Sequence, residues 1–300
     1  MRLSLVISLG SLAFLIACAD STLPEYNQLG GLRLLALKAD TPEVAAGATI
    51  TLTPVVSDLP TLTQPGGRTL TYGVEGCTDP GVSLGATPDC TQIPDRTIWV
   101  AKGTAIPSLA SATSTYTALA PTFTVTVPAT LLANRSTTDQ ANGVSYLVIY
   151  TLTATDTTSG MSESIKSVKR LIASTRTTKN SNPSLTGVLA DIQAFQTYLN
   201  AIAFSGSAFS AISLTPQFLA GSEETYTLQL SNGTTQTKTE TLTTTWFYSD
   251  GVMKRYRTAS NDTNSWTSPS TAPTSGHTGM VFYVVVRDGR GGEDFLRFEK

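Results

Sequence analysis

Three residues of the chain have the types and the order of a hydrolytic triad. Gly81-Val82-Ser83-Leu84-Gly85 matches the G-x-S-x-G pattern that holds a nucleophilic serine on a sharp turn, and Asp250 and His277 follow in hydrolase order. That turn requires a strand before the serine and a helix after it. Ser83 instead lies in a proline-flanked loop, and His277, the single histidine, lies in a Thr/Ser/Pro/Gly-rich stretch. We therefore predict no catalytic residues and a protein that is not an enzyme.

Asp288 and Asp294 are the candidates for a metal site. They flank a glycine-rich run, and carboxylates together with backbone carbonyls are the ligands that Ca²⁺ prefers. The same run is also typical of a hairpin with solvated charges, which is the stronger interpretation. The sequence has no His/Cys cluster of the kind that binds zinc. We predict no cofactor, with calcium at Asp288 and Asp294 as the weak alternative.

Tyr256 and Trp266 are the candidates for a sugar-binding surface. Trp266 lies in an Asn/Ser/Thr-rich loop from Asn261 to Thr274, and Tyr256 shortly precedes it. A flat aromatic face can bind the apolar face of a pyranose ring, but single exposed aromatic residues are also common on surfaces without a ligand.

The N-terminal segment has the composition of an export signal. Met1 and Arg2 precede an uncharged, mainly apolar run from Leu3 to Ile16. A transmembrane helix needs roughly 20 apolar residues, whereas the apolar part of a cleaved signal has about 7–15. The run therefore predicts a cleaved signal peptide over residues 1–17.

Leu15-Ile16-Ala17-Cys18 resembles the bacterial lipobox. This resemblance implies that Cys18 receives a diacylglyceryl group and becomes the first residue of a membrane-anchored lipoprotein; an ordinary secretory signal is the alternative. Ala19, rather than Asp, follows the cysteine, and the enteric sorting rule then favours the outer membrane, facing either the periplasm or the cell surface. Two or more acyl chains would hold the protein stably in the membrane.

Composition excludes one class of partner and favours strands. Charged residues make up 14% of the chain and the net charge is −2, so no basic surface for nucleic acid is predicted. Polarity comes instead from Thr, Ser, Asn and Gln, and Thr is both polar and suited to strands.

Cys77 and Cys90 remain once Cys18 is assigned to lipid. Outside the cytoplasm such a pair favours a disulfide, which would contribute about 3 kcal/mol in the chain-entropy model. Two free thiols are the alternative.

Two paired segments indicate a duplicated frame. Thr41 to Asp58 aligns without gaps on Thr215 to Asn232, with alternation that predicts buried Leu52 and Val56 in one unit, and Tyr226 and Leu230 in the other. Near the end of each unit, Tyr146 to Asp156 corresponds to Val281 to Asp288. The final strands are then Ser162 to Ile172 and Asp294 to Glu299.

The frame predicts the following organisation. A lipidated tether covers residues 18–31, and two β-sandwiches cover residues 32–178 and 179–300, the first with about 42 extra residues. Tyr72 and Trp246 are predicted as core aromatic residues of equivalent middle strands. Helix-like spacing predicts a short helix over residues 191–204, with Asp191 as its N-cap.

Pro42 to Gly47 and Val284 to Gly292 resemble the opening and closing motifs of bacterial immunoglobulin-like (cadherin-like) domains that occur in tandem in exported lipoproteins. In the first unit the closing motif departs to Asp156-Thr157-Thr158-Ser159-Gly160. The resemblance implies an all-β protein of two tandem immunoglobulin-like sandwiches. It also implies a non-enzymatic surface adhesion or structural role with an envelope partner. A glycan- or peptide-binding module of an envelope complex is the alternative.

Overall fold

A computed structural model describes residues 26–59, 67–81, 89–106, 120–204, 206, 209–260, 262–272 and 279–300. Strands dominate this part of the chain. The predicted signal peptide, Cys18 and most of the tether lie outside these residues. Within them, no helix is long and apolar enough to cross a membrane.

The first eight strands form one sandwich of two sheets. In chain order they are β1 (Arg33–Ala39), β2 (Glu43–Val44), β3 (Thr49–Ser57), β4 (Arg68–Thr78), β5 (Thr97–Ala105), β6 (Phe123–Thr126), β7 (Val144–Asp156) and β8 (Ser162–Ala173), with helix α1 (Thr137–Asn142) before β7. Hydrogen bonds order them as β1-β3-β6 and β2-β8-β7-β4-β5. The pairing of β2 with β8 is parallel, while β4, β7 and β8 pair antiparallel.

Strand β3 shows how the sequence builds this sandwich. Ile50 and Leu52 are buried while the threonines between them are more exposed, the alternation of a strand with one face on a core. From Pro54 onward both faces are buried. Val56 belongs to the core between the sheets, which confirms the predicted burial of Leu52 and Val56.

Aromatic rings fill the centre of the first core. Tyr72 on β4 stacks on Tyr150 of β7 with ring centroids 5.5 Å apart, and Phe123 stacks on the same ring at 5.9 Å. The prediction of Tyr72 as a core aromatic residue is confirmed.

Cys77 and Cys90 form the predicted disulfide, with Cα atoms 5.7 Å apart. The cystine is buried against Leu147 and Ile149 on the outer face of the larger sheet. The Asp95 carboxylate accepts hydrogen bonds from both the backbone N–H and the hydroxyl of Thr78. The described ends of this loop are therefore fastened to the sheet.

The remaining strands form the second sandwich. In chain order they are β9 (Leu185–Ala190), β10 (Gln193–Ala194), β11 (Ile212–Phe218), β12 (Thr225–Gln229), β13 (Thr235–Thr239), β14 (Thr243–Tyr248), β15 (Val252–Met253), β16 (Arg257–Ala259), β17 (Asn264–Thr267), β18 (Val281–Arg287) and β19 (Glu293–Glu299), with helix α2 (Phe195–Ala201) after β10. The sheet orders are β10-β9-β11-β17-β15 and β16-β14-β18-β19, and β12 pairs with β13 alone.

Both sandwiches have an immunoglobulin-like strand order. In the first sandwich, one sheet holds β1, β3 and β6 and the other holds β4, β7 and β8; in the second, one sheet holds β9, β11 and β17 and the other holds β14, β18 and β19. In the immunoglobulin fold these are strands A, B and E in one sheet and strands C, F and G in the other. The described structure is all-β in class, as predicted, and consists of two immunoglobulin-like sandwiches.

Helix α2 is shorter than predicted. The helix begins at Phe195 after Ala194, and Asp191 is not its N-cap, because Asp191 adopts a positive φ of 51° in the turn between β9 and β10. Ile192 in that turn is 95% exposed. Phe195 and Leu199 nevertheless face the core as the spacing predicts, and Trp246 is buried there, which confirms its predicted place.

The predicted equivalence of the two opening segments is wrong. Thr51 to Val55 lies in β3, the second strand of the first sandwich, whereas its aligned partner Thr225 to Gln229 is one half of the β12–β13 hairpin. The second strand of the second sandwich is β11, which pairs with β9. Leu230 is exposed rather than buried. An alternating Thr-rich pattern suits a core strand and a surface hairpin equally well. Two segments can therefore align in sequence although they occupy different places in the fold.

The predicted closing strands are present. β7 pairs with β8, and β18 pairs with β19, each pair joined by a hairpin. In the first sandwich the hairpin follows Asp156, and in the second it follows Asp288.

The last part of the predicted tether is folded against the second sandwich. Gln28 forms a parallel bridge with Tyr248 at the end of β14. Leu29 donates its N–H to the Tyr248 carbonyl at 2.7 Å, and Tyr248 donates to Asn27 at 3.1 Å. Asn27 and Leu29 are buried. The prediction of a free tether through residue 31 is therefore wrong for these residues.

Candidate functional site

The three triad candidates are not assembled in the described structure. Ser83 and His277 lie outside the described residues. Asp250 follows β14, where its carboxylate binds the Ser249 hydroxyl and its backbone carbonyl accepts the Trp266 indole N–H at 3.0 Å. Both contacts of Asp250 thus lie within the second sandwich, where they support its fold.

The two calcium candidates face hydrogen-bond donors and a cation. Asp288 accepts the backbone N–H groups of Arg290 and Gly292 at 2.7 and 2.9 Å. Asp294 pairs with Lys38 at 2.7 Å and accepts the Leu185 N–H at 3.0 Å. Among the described residues, no group of three or more His, Cys, Asp or Glu side chains could hold a metal ion.

The two aromatic candidates are separated by burial. Trp266 is completely buried and packs edge-on against Phe195 and Phe282, so its predicted role in a sugar-binding surface is wrong. Tyr256 is 54% exposed.

The interface between the two sandwiches combines an apolar contact with buried ion pairs. Strand β18 is apolar along six consecutive residues, which is typical of a strand buried on both faces. Its second face meets Leu35 and Ala36 of β1, and Val55 of β3. The β18 residues on that face are Val281, Tyr283 and Val285.

This apolar contact places the sandwiches side by side. The outer face of the sheet containing β1 and β3 packs on the outer face of the sheet containing β14, β18 and β19. Each large apolar side chain buried there contributes about 1.5–3 kcal/mol relative to an exposed one. Domains of one chain move freely unless their interface is large and apolar, so this contact favours a single body.

A buried ion pair fixes the relative position of the sandwiches. Lys169 of β8 lies 2.6 Å from the Glu293 carboxylate of β19, and both side chains are almost completely buried. The same carboxylate accepts the backbone N–H of Leu37 at 3.1 Å, and Arg287 lies 3.2 Å from its second oxygen. Glu293 therefore connects β1, β8 and β19.

A second buried network surrounds Arg290, in the hairpin after β18. Its guanidinium donates to Glu43 at 3.0 Å and to Glu240 at 2.8 Å, and it lies over the Tyr226 ring at 4.1 Å. Glu43 in turn accepts the N–H of Asn180 at 2.9 Å. A charge this deeply buried is retained only where it is paired and hydrogen-bonded.

Burial raises the pKa of two carboxyl groups in or beside this network. Burial raises the pKa of Asp288 above its ordinary value, although the hydrogen bond from Asn180 and those from the hairpin backbone oppose the increase. Burial likewise raises the pKa of Glu240. Both groups are thus more easily protonated than carboxyl groups on the surface.

The connection between β8 and β9 is also tied into the interface. Asn182 donates to the Ala39 carbonyl at 2.7 Å and accepts the Glu293 N–H at 3.0 Å. Lys179 donates to the carbonyl groups of Ser174 and Arg176. Asn182 therefore links the connection to both sandwiches, while Lys179 fastens the connection to itself.

Comparisons with known proteins return likenesses of fold. No protein-family model and no curated protein sequence matches the chain. Among solved structures, the D0-D1 domain of intimin aligns at 13% identity over 89% of this chain and 97% of its own, with a TM-score of 0.20. The adhesin InvE of Yersinia pseudotuberculosis aligns at 13% identity over 88% of this chain and 58% of its own, also with a TM-score of 0.20.

The native alpha-2-macroglobulin of E. coli aligns at 9% identity over 90% of this chain, with a TM-score of 0.26. The alignment spans 16% of that much longer protein. Identities and TM-scores this low carry no argument about function. The assignment to the immunoglobulin-like fold rests on the strand order.

Sequence reasoning missed the interface residues. The uninterrupted apolar run of β18 was a usable signal, because a sandwich strand with one solvent face alternates. Glu43, Lys169 and Glu240 gave no comparable signal, because a charged residue in a strand is usually solvated. The run Lys254-Arg255-Tyr256-Arg257 is a further feature that the sequence shows directly, as a concentration of basic residues around one aromatic ring.

Proposed function

We propose that the protein is an envelope lipoprotein, anchored through Cys18, whose two immunoglobulin-like sandwiches act as one rigid, non-enzymatic adhesion or structural module. The observation that carries the proposal is the interface between the sandwiches. An apolar contact joins them, and the buried Lys169–Glu293 pair fixes their register.

A rigid pair of sandwiches suits a mechanical role better than two flexibly linked ones. Removing one partner of a buried ion pair typically costs about 3–5 kcal/mol, so sliding one sandwich past the other is strongly opposed. A fixed body presents a constant surface to a partner and transmits force without extending. The lipobox resemblance at Cys18 supports attachment of that body to a membrane.

The anchor is tested by following the fate of Cys18. Cells expressing the full chain are labelled with radioactive palmitate, and the protein is partitioned in Triton X-114. Label and detergent partitioning are expected for the wild type and for a Cys77→Ser/Cys90→Ser control, which retains the lipobox cysteine. Partitioning that persists unlabelled in Cys18→Ala would refute lipid anchoring.

The location is tested by protease treatment of intact cells. Digestion of the full chain on whole cells would indicate a surface-facing anchor in the outer membrane, and digestion only after outer-membrane permeabilisation would indicate a periplasmic one. Fractionation with the inner membrane would contradict the sorting expected from Ala19.

The mechanical role is tested by deletion and by a matched pair of variants. Cells lacking the protein are expected to lose adhesion under flow or resistance to envelope stress, and the wild-type chain restores it. Glu293→Ala, which leaves Lys169 unpaired, is expected to restore it poorly at equal abundance, whereas the surface control Lys102→Ala restores it fully. Unchanged adhesion and unchanged envelope integrity on deletion would overturn the proposal.

A further inference from the structure

An exposed cluster of aromatic and basic side chains lies where the described chain begins. We call it the aromatic–basic patch and define it by Tyr26, Arg33 and the run Lys254-Arg255-Tyr256-Arg257. Tyr26 is 64% exposed and Tyr256 is 54% exposed. Their rings meet edge to face with centroids 6.2 Å apart. The first described residues and the β15–β16 connection therefore present one surface.

The cations of the patch are arranged around these rings. Arg257 lies over the Tyr256 ring at 5.6 Å, and Arg33 lies over the Tyr26 ring at 5.9 Å. Arg33 also donates to the Tyr26 carbonyl at 2.7 Å. Each tyrosine thus has a guanidinium group against its ring, that of Arg257 on an exposed residue and that of Arg33 on a half-buried one.

The patch is positive in a chain that is slightly acidic. Residues 254 to 257 are four consecutive exposed positions, three of them basic. Arg255 has Asp262 at 3.9 Å, with both side chains more than half exposed, so this contact is weak and screened. The other cations of the patch, Arg33, Lys254 and Arg257, face solvent or a tyrosine ring. The whole chain, by contrast, has a net charge of −2.

The position of the patch connects it to the predicted anchor. Residues 27 to 29 are fastened to the end of β14 by backbone hydrogen bonds. Cys18 precedes Tyr26 by eight residues, and eight residues reach at most about 26–29 Å. A lipid on Cys18 would therefore keep the patch within that distance of the membrane surface.

We propose that the aromatic–basic patch docks on the headgroups of anionic phospholipids and sets the orientation of the module on the membrane. Tyrosine favours the membrane interface because its ring is apolar and its hydroxyl is polar. Arginine binds phosphate through two parallel hydrogen bonds, and basic clusters beside a membrane are attracted to anionic lipids. The inference rests on the proposed anchoring at Cys18.

Docking through the patch would give the rigid body a single orientation. Arg33 lies at the end of β1 that pairs with Ser57, and Thr49, at the other end of β3, pairs with Thr126. Helix α1 and the segment around Ala133 follow β6 and so lie at the far end of the first sandwich. That far end would face away from the membrane.

The test uses the full lipidated chain in phosphatidylcholine vesicles, with and without phosphatidylglycerol. Val252→Cys, at an exposed position two residues before the basic run, and the exposed far-end control Ala133→Cys each supply one free thiol for a fluorophore, because the other cysteines are occupied by lipid and disulfide. Lipids with a nitroxide headgroup are expected to quench the label at residue 252 at least threefold more than the label at residue 133, and only when phosphatidylglycerol is present.

Charge reversal separates the patch from the anchor. Lys254→Glu/Arg255→Glu/Arg257→Glu is expected to abolish quenching at residue 252, while the protein still floats with the vesicles through its lipid. A matched reversal of exposed cations elsewhere, Lys102→Glu/Arg135→Glu/Lys238→Glu, is expected to leave quenching unchanged. Circular dichroism and melting temperature verify that each variant is folded.

The outcomes distinguish the two proposals. A protein that floats with both vesicles but shows equal quenching at residues 252 and 133, or quenching that survives reversal of the patch, overturns the docking surface alone. Flotation only with phosphatidylglycerol, lost on reversal of the patch, supports the patch while the anchor fails. Flotation with neither vesicle overturns both. Absent quenching together with glycan binding that Tyr256→Ala removes assigns the ring to a sugar and overturns membrane docking.

Discussion

The two hairpins that close the two sandwiches begin with the same residue type in different surroundings. Asp156 accepts the backbone N–H groups of Thr158 and Ser159 at 2.9 and 2.7 Å. Asp288 also accepts two N–H groups of its own hairpin, from the residues two and four positions on. Asp156 is half-buried at the start of an exposed turn, whereas Asp288 is buried between the sandwiches.

The surroundings shift the two carboxyl groups in opposite directions. Hydrogen bonds from Ser159 and Thr158 lower the pKa of Asp156 below its ordinary value, because they stabilise the charged form. At Asp288 the cost of burying the charge outweighs similar hydrogen bonds, and the pKa rises. A local turn motif therefore does not determine the chemistry of its carboxylate; the neighbouring sandwich does.

The largest difference between the hairpins is expected at the second residue after each aspartate. Arg290→Ala leaves Glu43 and Glu240 buried without their shared cation, and we expect a loss of about 3–5 kcal/mol of stability. Thr158→Ala, the matched change in the exposed hairpin, should lie within about 0.5 kcal/mol of the wild type. Urea unfolding monitored by tryptophan fluorescence measures both. Equal losses would show that the buried network does not hold the sandwiches together.

Glycine substitutions are expected to give the next largest contrast. A Cβ on Gly292 would overlap the Asp288 carboxylate and lie 2.9 Å from the Ser181 carbonyl oxygen, so Gly292→Ala should cost about 2–3 kcal/mol. Gly160 has open space around it and a φ of +70°, so Gly160→Ala should cost only the backbone strain of about 1–2 kcal/mol. Thermal unfolding followed by circular dichroism compares them. A larger loss at Gly160 would contradict the tight packing of the second hairpin.

The pH dependence of folding stability should change in opposite directions when the aspartate of each hairpin is replaced, and this effect should be the smallest of the three. The raised pKa of Asp288 gives a stabilising contribution at acidic pH that is lost as the pH rises from the ordinary value of 3.8 through the folded pKa. Asp288→Asn should therefore gain stability relative to the wild type as the pH rises through that window.

Asp156→Asn should behave in the opposite way. The lowered pKa of Asp156 gives a contribution that is present above the ordinary value of 3.8 and is lost as the pH falls through the folded pKa. The variant should be less stable than the wild type at neutral pH and approach it in strong acid. Melting temperatures measured from acidic to neutral pH test both variants, and parallel curves for the two would remove the proposed difference.

The closing strands of both units and the opening strand of the first unit were predictable, but the opening strand of the second was not, for a physical reason. Val281 to Arg287 is almost wholly apolar and ends at a glycine-rich turn, so the sequence allows little besides a buried strand and hairpin. Thr225 to Gln229 alternates as a core strand does, yet belongs to a two-stranded hairpin. Alternation reports a strand with two unlike faces and does not report which sheet the strand joins.

The buried charges were beyond prediction because their partners are far apart in the sequence. Glu43 and Arg290 meet only when both sandwiches are folded and docked. Asp288 was visible as a candidate for chemistry, but its burial depends on the same docking. The exposed Tyr256 with its basic neighbours was readable directly from four adjacent residues, since consecutive basic residues rarely enter a core.

The pairing of residues 27 to 29 with β14 has a consequence for how the chain is made. Export that delivers the N-terminal end first brings Leu29 and the outer face of β1 out long before Tyr248 and β18, the surfaces that cover them. Until the last third of the chain emerges, these apolar groups stay uncovered, and contacts so distant in sequence form slowly. Under the proposed export, the chain should depend on holding chaperones, and their depletion should lower its yield more than that of a protein whose domains mature independently.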